Sequence, residues 1–380
     1  VGIRKYFNQF TYILFFFLGC IFAANQLMVH YVRQALGATE MQLGLMIGSI
    51  YIGSMLMALV LGELSERTGK RAAAIIAAGC FGIGALLITL SARVELAVIS
   101  YFIYGSGVGG LEAMLFSLIG DYNGEHTSRH MNLTQALFSI GAFLSPVLLN
   151  SFVTYIGYRA VYIFVWILMT GLAAVFILDK SVDEFAVKSG ERIGGLTIFK
   201  LARKPAMLIF MLVLMTAIGC ETALTYWLVN YFDLIGASAM GAFGLSVYWF
   251  FSIPGRVIGA RVRDPGRHLV FCFLLCSAGI VFLLLIPSPV LKLAGVSIIG
   301  IALAPVYPSI STIGGSLFPE NSGAAFALMV FSCGFGGAAA QPVIGAVAKL
   351  ASISAIYIGI AVIMVVLSIM TLAGMKASKA

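Results

Sequence analysis

Two acidic side chains stand where so apolar a chain has little reason to keep them. Glu112 and Glu221 both lie well inside long hydrophobic stretches. Placing a charged side chain at the centre of a membrane helix costs roughly 2.5–3.5 kcal/mol on insertion scales, so such residues are as a rule functional. At about 1.5 Å per residue, Glu112 is about 13 Å from Asp121 and Glu221 about 24 Å from Pro205. The first is expected near mid-span, the second in the far half. A carboxyl in such a place can take a proton from one side and release it to the other, and both are read as proton-coupling candidates.

Around them the apolar stretches hold groups suited to a hydroxylated solute. The amides of Asn25, Gln26, Gln135, Asn230 and Gln341 donate and accept at once, as paired hydroxyls require. Trp227, Tyr231, Trp249 and Tyr307 offer flat faces to the apolar side of a ring. Interhelical glue is the commoner use of such amides. Other chemistry is absent. Gly105-Ser-Gly107-Val-Gly109-Gly110 matches the spacing of a dinucleotide fingerprint but lies inside a helix, whereas that fingerprint needs a strand before it and a helix N-terminus at it. Small residues there serve close helix packing. Asn132-Leu-Thr134 is a glycosylation sequon on the wrong side of the membrane. There is no nucleophile triad, Walker loop or metal cluster; Cys272 and Cys276 share a helix face without a histidine or a third thiol nearby. Neither a cofactor nor a metal is expected, and the chain reads as no enzyme.

Composition says where these residues sit. Of 380 residues 61% are hydrophobic and 10% charged, with mean hydropathy +1.04; soluble domains run about 45–50% apolar and about 25% charged. Lipid is the main solvent. Runs long enough to span a bilayer occur at 10–32, 41–64, 71–92, 96–120, 132–156, 159–178, 206–232, 239–259, 269–286, 289–314, 322–350 and 353–374. The expected fold is all-α and integral to the membrane, with twelve helices in two six-helix bundles, residues 1–178 and 205–380, joined by a charged cytoplasmic linker over 179–204. The first run is too long for a cleavable signal and lacks a small-residue cleavage site.

The net charge of +8 supports this topology. With the N-terminus in the cytoplasm, only Arg33, Arg93, Arg159, Lys292 and Lys349 of the 23 lysines and arginines fall outside, as the positive-inside rule requires. Both termini are then cytoplasmic and nucleic acid is not a partner. The halves also repeat. Gly19, Cys20, Ala23 and Tyr31 recur as Gly219, Cys220, Ala223 and Tyr231, and Gly141 with Pro146 recurs as Gly337 with Pro342. Parallel repeats of this kind are typical of transporters.

The segment Gly62-Glu-Leu-Ser-Glu66-Arg67-Thr-Gly69-Lys70-Arg71 resembles the signature of the major facilitator superfamily. A weaker copy runs from Gly259 through Arg263, Asp264, Gly266 and Arg267. The resemblance implies a gate in which these charges, with Asp121 and Arg129 beside the fourth and fifth spans, lock helix ends in one state of a cycle. Within that superfamily, Gly105 to Glu112, Asn132 to Gly141, Gly219-Cys-Glu221-Thr and Ala304-Pro-Val-Tyr-Pro308 are similar to the fucose/glucose permease group. That likeness implies hexose import with protons or sodium, with Glu112 in the coupling position and Gln135 facing the sugar. Two positions depart from the group: Gln26 stands where its fucose-type members carry an aspartate, and Phe138 where they carry an asparagine.

The expectation is an alternating-access carrier in a bacterial inner membrane, monomeric, importing a sugar or sugar-like polyol with a proton. An exporter of amphipathic drugs or metabolites, a sugar uniporter, and a non-transporting receptor on a carrier scaffold are the alternatives.

Overall fold

A computed structural model describes residues 3–123, 127–184, 200–259, 262, 264–317 and 322–378. Among the described residues there is no strand. The chain forms two compact units, residues 1–190 and 191–380. Most of the expected linker lies outside the described residues.

The first unit opens on a 3-10 turn, Ile3–Tyr6, followed by α1 (Phe7–Leu36), α2 (Glu40–Thr68), α3 (Lys70–Leu90), α4 (Val94–Asn123) and α5 (Thr127–Leu178), then a 3-10 turn at Lys180–Glu184. Helix ends fall where the chain supplies caps. The Thr39 hydroxyl and Gln42 side chain form a reciprocal capping box at the start of α2, satisfying backbone donors that a helix terminus leaves open. α5 contains two spans. Its arms meet at Gly157, where φ is 71° and ψ 158°, a conformation that glycine adopts without the steric cost a Cβ would bring. Gly69, with φ 88°, turns the chain between α2 and α3 in the same way.

The second unit contains α6 (Pro205–Tyr226), α7 (Leu228–Leu234), α8 (Ala239–Gly259), α9 (Pro265–Leu285), α10 (Pro289–Leu303), α11 (Val306–Leu317), α12 (Ser322–Leu350) and α13 (Ile353–Ala377). Asp264, Ser288 and Ser352 cap α9, α10 and α13 through their side-chain oxygens. Proline opens α6, α9 and α10, where its missing N–H costs nothing. Two expected spans are broken. The seventh stops at Trp227 (φ −94°, ψ 0°) and restarts as α7; the tenth is interrupted at Ala304-Pro305, because proline cannot donate to the ladder.

Helix pairing repeats between the units. In the first, α1 packs on α5, α2 on α4, and α3 on α4 and α5; in the second, α6 packs on α12, α8 on α10, and α9 on α10 and α13. The crossings depend on absent side chains. A Cβ on Gly105 would stand 2.1 Å from the Ile50 carbonyl oxygen, and one on Gly300 would stand 2.6 Å from that of Tyr248. The repeat register shifts by one residue from the expected match. Gly336, next to Gly337, approaches the Met215 carbonyl oxygen as Gly141 approaches that of Phe16.

Among the described residues ten helices are long and apolar enough to cross a membrane; the Leu133–Leu149 stretch is shorter, and α8, which carries Arg256, is not among the ten. Large apolar side chains such as Ile13, Phe152, Phe271 and Ile369 are exposed. In water so many would be an aggregation liability; in a bilayer they meet acyl chains.

The start of the first unit is strapped to the segment after α5. The Ile3 N–H donates to Asp179, Arg4 pairs with Glu184, and the Tyr122 hydroxyl donates to the Arg4 carbonyl. Hydrogen bonds from the Ile3 N–H, then from the Ser181 hydroxyl and N–H, hold the Asp179 carboxyl below its ordinary range. A carboxylate with a lowered folded-state pKa stabilises above its unfolded pKa, and that contribution is lost as pH falls through the folded value. Amide hydrogen exchange at residues 3–6 is therefore expected to rise several-fold in Asp179→Ala at neutral pH. That difference from wild type should vanish in acid, below the ordinary aspartate range. Equal exchange at neutral pH would show that Asp179 does not hold the strap.

Candidate functional site

In the first unit the Gly105–Gly110 run lies within α4. Gly105 and Gly109 face α2, at Ile50 and Ser54, while a Cβ on Gly107 would stand 2.1 Å from the Phe81 backbone nitrogen of α3. Close packing occupies those faces and leaves Glu112 on another. Phe116, one turn on and on the same face, packs against Phe15 of α1 with ring centroids 5.2 Å apart. Glu112 thus lies on the α1 side of α4. It is exposed, and among the described residues it has no hydrogen-bond or ion-pair partner.

The other residues expected in this unit divide into enclosed and accessible. Asn25 (3% exposed) and Gln26 (1%) are buried in α1. The Tyr162 hydroxyl donates to Asn25 Oδ1 at 2.9 Å and shares a hydrogen bond with the Tyr101 hydroxyl at 2.8 Å, so Asn25 helps join α1 and α5. Gln135 and Phe138 are half-buried in α5. Phe138 packs on Phe22 at 5.6 Å, and its carbonyl faces Gly19.

The expected gating charges are partly paired. Lys70 reaches Asp121 at 2.6 Å, with both side chains largely buried, and Arg71 donates to Asp183 at 2.7 Å and to the Phe176 carbonyl at 2.8 Å. Tyr12 hydrogen-bonds and stacks on His130. The side chains of Glu66, Arg67 and Arg129, and the surroundings of Gly62, lie outside the described residues. In the weaker copy Asp264 caps α9 and pairs with Arg267 at 3.2 Å on the surface, while Gly266 abuts Met375. Gly259 ends α8, and Arg263 lies outside the described residues.

The second unit holds a polar cluster in its interior. The Tyr248 hydroxyl of α8 donates to Glu221 Oε1 of α6 at 2.7 Å. Arg256 stands two turns further on, in the last turn of α8. Next to Glu221, Thr222 accepts from Gln341 Nε2 of α12 at 2.6 Å, and Gln341 Oε1 is buried with no partner among the described residues. Thr222 and Thr225 donate back to the carbonyls of Gly219 and Glu221, a habit that bends helices. Beyond them the helix breaks at Trp227, which is fully buried, with its indole N–H unpartnered among the described residues. The Tyr357 hydroxyl donates to the Leu224 carbonyl at 3.1 Å, an oxygen the break has left without its helical donor.

Past the break, Tyr231 is held rather than open. It stacks on Tyr357 at 5.0 Å, and the buried Lys292 ammonium donates to its hydroxyl at 2.9 Å and to the Leu283 carbonyl at 2.6 Å. Asn230 and Trp249 are buried and Tyr307 is half-buried; Trp249 packs edge-on to Tyr248 at 5.3 Å. Tyr248, Arg256 and Lys292 are the residues that sequence reasoning missed. Arg256 and Lys292 counted there only as topological charge, and nothing in spacing marks Tyr248 as the partner of Glu221.

A polytopic helical membrane protein built from two repeated units, with unpaired or internally paired carboxyls in its spans, is the architecture of a membrane carrier. The profile of the Major Facilitator Superfamily matches residues 11–341, and the chain belongs to that family of transporters. It is 24% identical to the glucose/mannose transporter GlcP of Bacillus subtilis, over 88% of this chain and 86% of that one. Over 40% of its length it is 26% identical to the multidrug resistance protein MdtL of Klebsiella pneumoniae, covering 39% of that protein. Among solved structures it is similar to the nucleoside transporter NupG (TM-score 0.80, 14% identity, 97% of this chain and 99% of that one). It also resembles the E. coli fucose:proton symporter FucP (TM-score 0.68, 19% identity, 98% and 99%).

Proposed function

We propose that this protein is a secondary active transporter that imports a sugar or sugar-like polyol with a proton, by alternating access, with both termini in the cytoplasm. The observation that carries this is Glu112, a carboxyl inside a membrane-spanning helix with no partner among the described residues. Ionisable groups within spans almost always face a bundle interior or a water-filled cavity, and an exposed one without a counter-charge is suited to bind and release a proton. Half-buried Gln135 is the amide placed to meet sugar hydroxyls. Gln341 Oε1 and the Trp227 N–H, like Ser246 Oγ and His268 Nδ1, are buried groups of the second unit with no partner among the described residues. The similarity to GlcP along most of both chains supports the hexose class. The partial similarity to MdtL supports a second reading, export of amphipathic compounds.

Counterflow in proteoliposomes separates the two. D-glucose, D-mannose and L-fucose are expected to exchange, with ethidium inert. Gln135→Ala should weaken competition by the preferred hexose roughly tenfold, the scale of one lost hydrogen bond to a bound ligand. Ethidium exchange without hexose exchange would establish the exporter; an unchanged competition profile would remove Gln135 from the site.

A further inference from the structure

The second unit buries a cation with no acid to meet it. Lys292 of α10 is 5% exposed. Its ammonium donates to the Tyr231 hydroxyl of α7 at 2.9 Å and to the Leu283 carbonyl of α9 at 2.6 Å, and lies 5.4 Å from the centre of the Tyr231 ring. It forms no ion pair among the described residues; Asp233, the one carboxylate of α7, is exposed. α10 gains little from the charge, because a cation near a helix N-terminus meets the positive end of the dipole. The gain lies in α9. The helical donor to the Leu283 carbonyl would be residue 287, and Pro287 has no N–H. That oxygen stands at the negative end of α9, where an ammonium is favoured.

We propose that Lys292 is a positioning residue for transport that acts through Tyr231, clamping α7, the detached second piece of the seventh span, to the corner between α9 and α10. The short helix needs such a clamp. At 7 residues it is below the length at which a helix holds itself together, and its link to α6 is the break at Trp227. Tyr357 of α13 serves both sides of that break. Its hydroxyl binds the Leu224 carbonyl before it, and its ring stacks on Tyr231 beyond it at 5.0 Å. Lys292 then ties the Tyr231 hydroxyl to α9 and α10. With Tyr231 fixed at ring and hydroxyl, the adjoining Asn230 is held buried, and Asn230 is one of the amides expected to meet the solute. That last step rests on the sugar reading; the clamp itself does not.

Amide hydrogen exchange of the full chain in detergent tests the clamp without any substrate. Lys292→Met, which keeps the aliphatic stem and removes the donors, should raise exchange at residues 228–234 several-fold while α8 and the first unit stay as in wild type. Lys292→Arg, which can still donate to both oxygens, should restore most of the protection. Tyr231→Phe keeps the ring stack and loses the hydroxyl. It should loosen α7 to a similar extent, and combining it with Lys292→Met should add little. Unchanged exchange at 228–234 in either Lys292→Met or Tyr231→Phe, or a rise spread evenly over the second unit, would overturn the clamp. Counterflow of D-glucose tests the positioning. Lys292→Met should raise the half-saturating concentration several-fold with the maximal rate within about twofold of wild type, and Lys292→Arg should bring it back. An unchanged half-saturation would leave Lys292 a structural tie and overturn its role in transport. Wild-type protein that carries no glucose would refute the sugar reading alone, since hydrogen exchange still decides the clamp.

Discussion

Glu112→Gln is expected to reduce pH-gradient-driven accumulation to none, while counterflow of the same hexose stays within about threefold of wild type. The reasoning is energetic. A proton moving down 100 mV releases about 2.3 kcal/mol, enough for about 50-fold accumulation when coupled one to one. Coupling needs a group that alternates between charged and neutral as the carrier turns over, and glutamine is nearly the shape of the protonated acid but cannot release a proton. Exchange, in which the loaded carrier shuttles without net proton movement, needs no such release. Because Glu112 has no partner among the described residues, the substitution should leave the fold intact, and melting of the variant should match wild type. A variant that still concentrates sugar would remove Glu112 from the coupling step. One that fails in counterflow as well would place Glu112 in substrate binding instead.

The second large effect is structural. Gly107→Ala should destabilise the protein in detergent and reduce its monodisperse yield severalfold, and Gly107→Leu should abolish folded protein. A Cβ at this position would stand 2.1 Å from the Phe81 backbone nitrogen. Backbone cannot rotate away as a side chain can, so α3 and α4 must part by about 1 Å. Overpacking of this kind costs about 1–3 kcal/mol, and between membrane helices, where packing itself drives association, the separation spreads along the crossing. Gly79, on α3, is the control, since nothing lies within 4 Å of a Cβ there and alanine should be tolerated. Equal stability of the two variants would show that the α3–α4 crossing is looser than the structure describes.

These contrasts mark how far the chain could be read directly. The glycine run 105–110 was legible as helix packing and not a nucleotide loop, because its surroundings are apolar without interruption. α8 and α12 begin and end at the residues that hydropathy and punctuation indicated, 239–259 and 322–350. No proline or glycine stands at the interruption at Trp227, and the break is sustained by bonds from other helices, such as Tyr357 to Leu224. The one-residue difference between Gly337 and Gly336 has a similar origin. Neighbouring glycines are equivalent in a pattern search, and it is the fold that sets Gly336 against the Met215 backbone.

Taken alone, the order of residues determined that this is a twelve-span helical membrane protein of repeated halves, because lipid imposes an average over some twenty residues and tolerates few exceptions. It also singled out Glu112 and Glu221, because a carboxyl in an apolar span is costly wherever it points. Only the tertiary structure distinguished them, leaving the first without a partner among the described residues and binding the second to Tyr248. The same holds for Tyr231, whose ring and hydroxyl are taken by Tyr357 and Lys292. Whether a polar group is free or engaged depends on side chains that lie far off along the chain, and a local pattern carries no information about them.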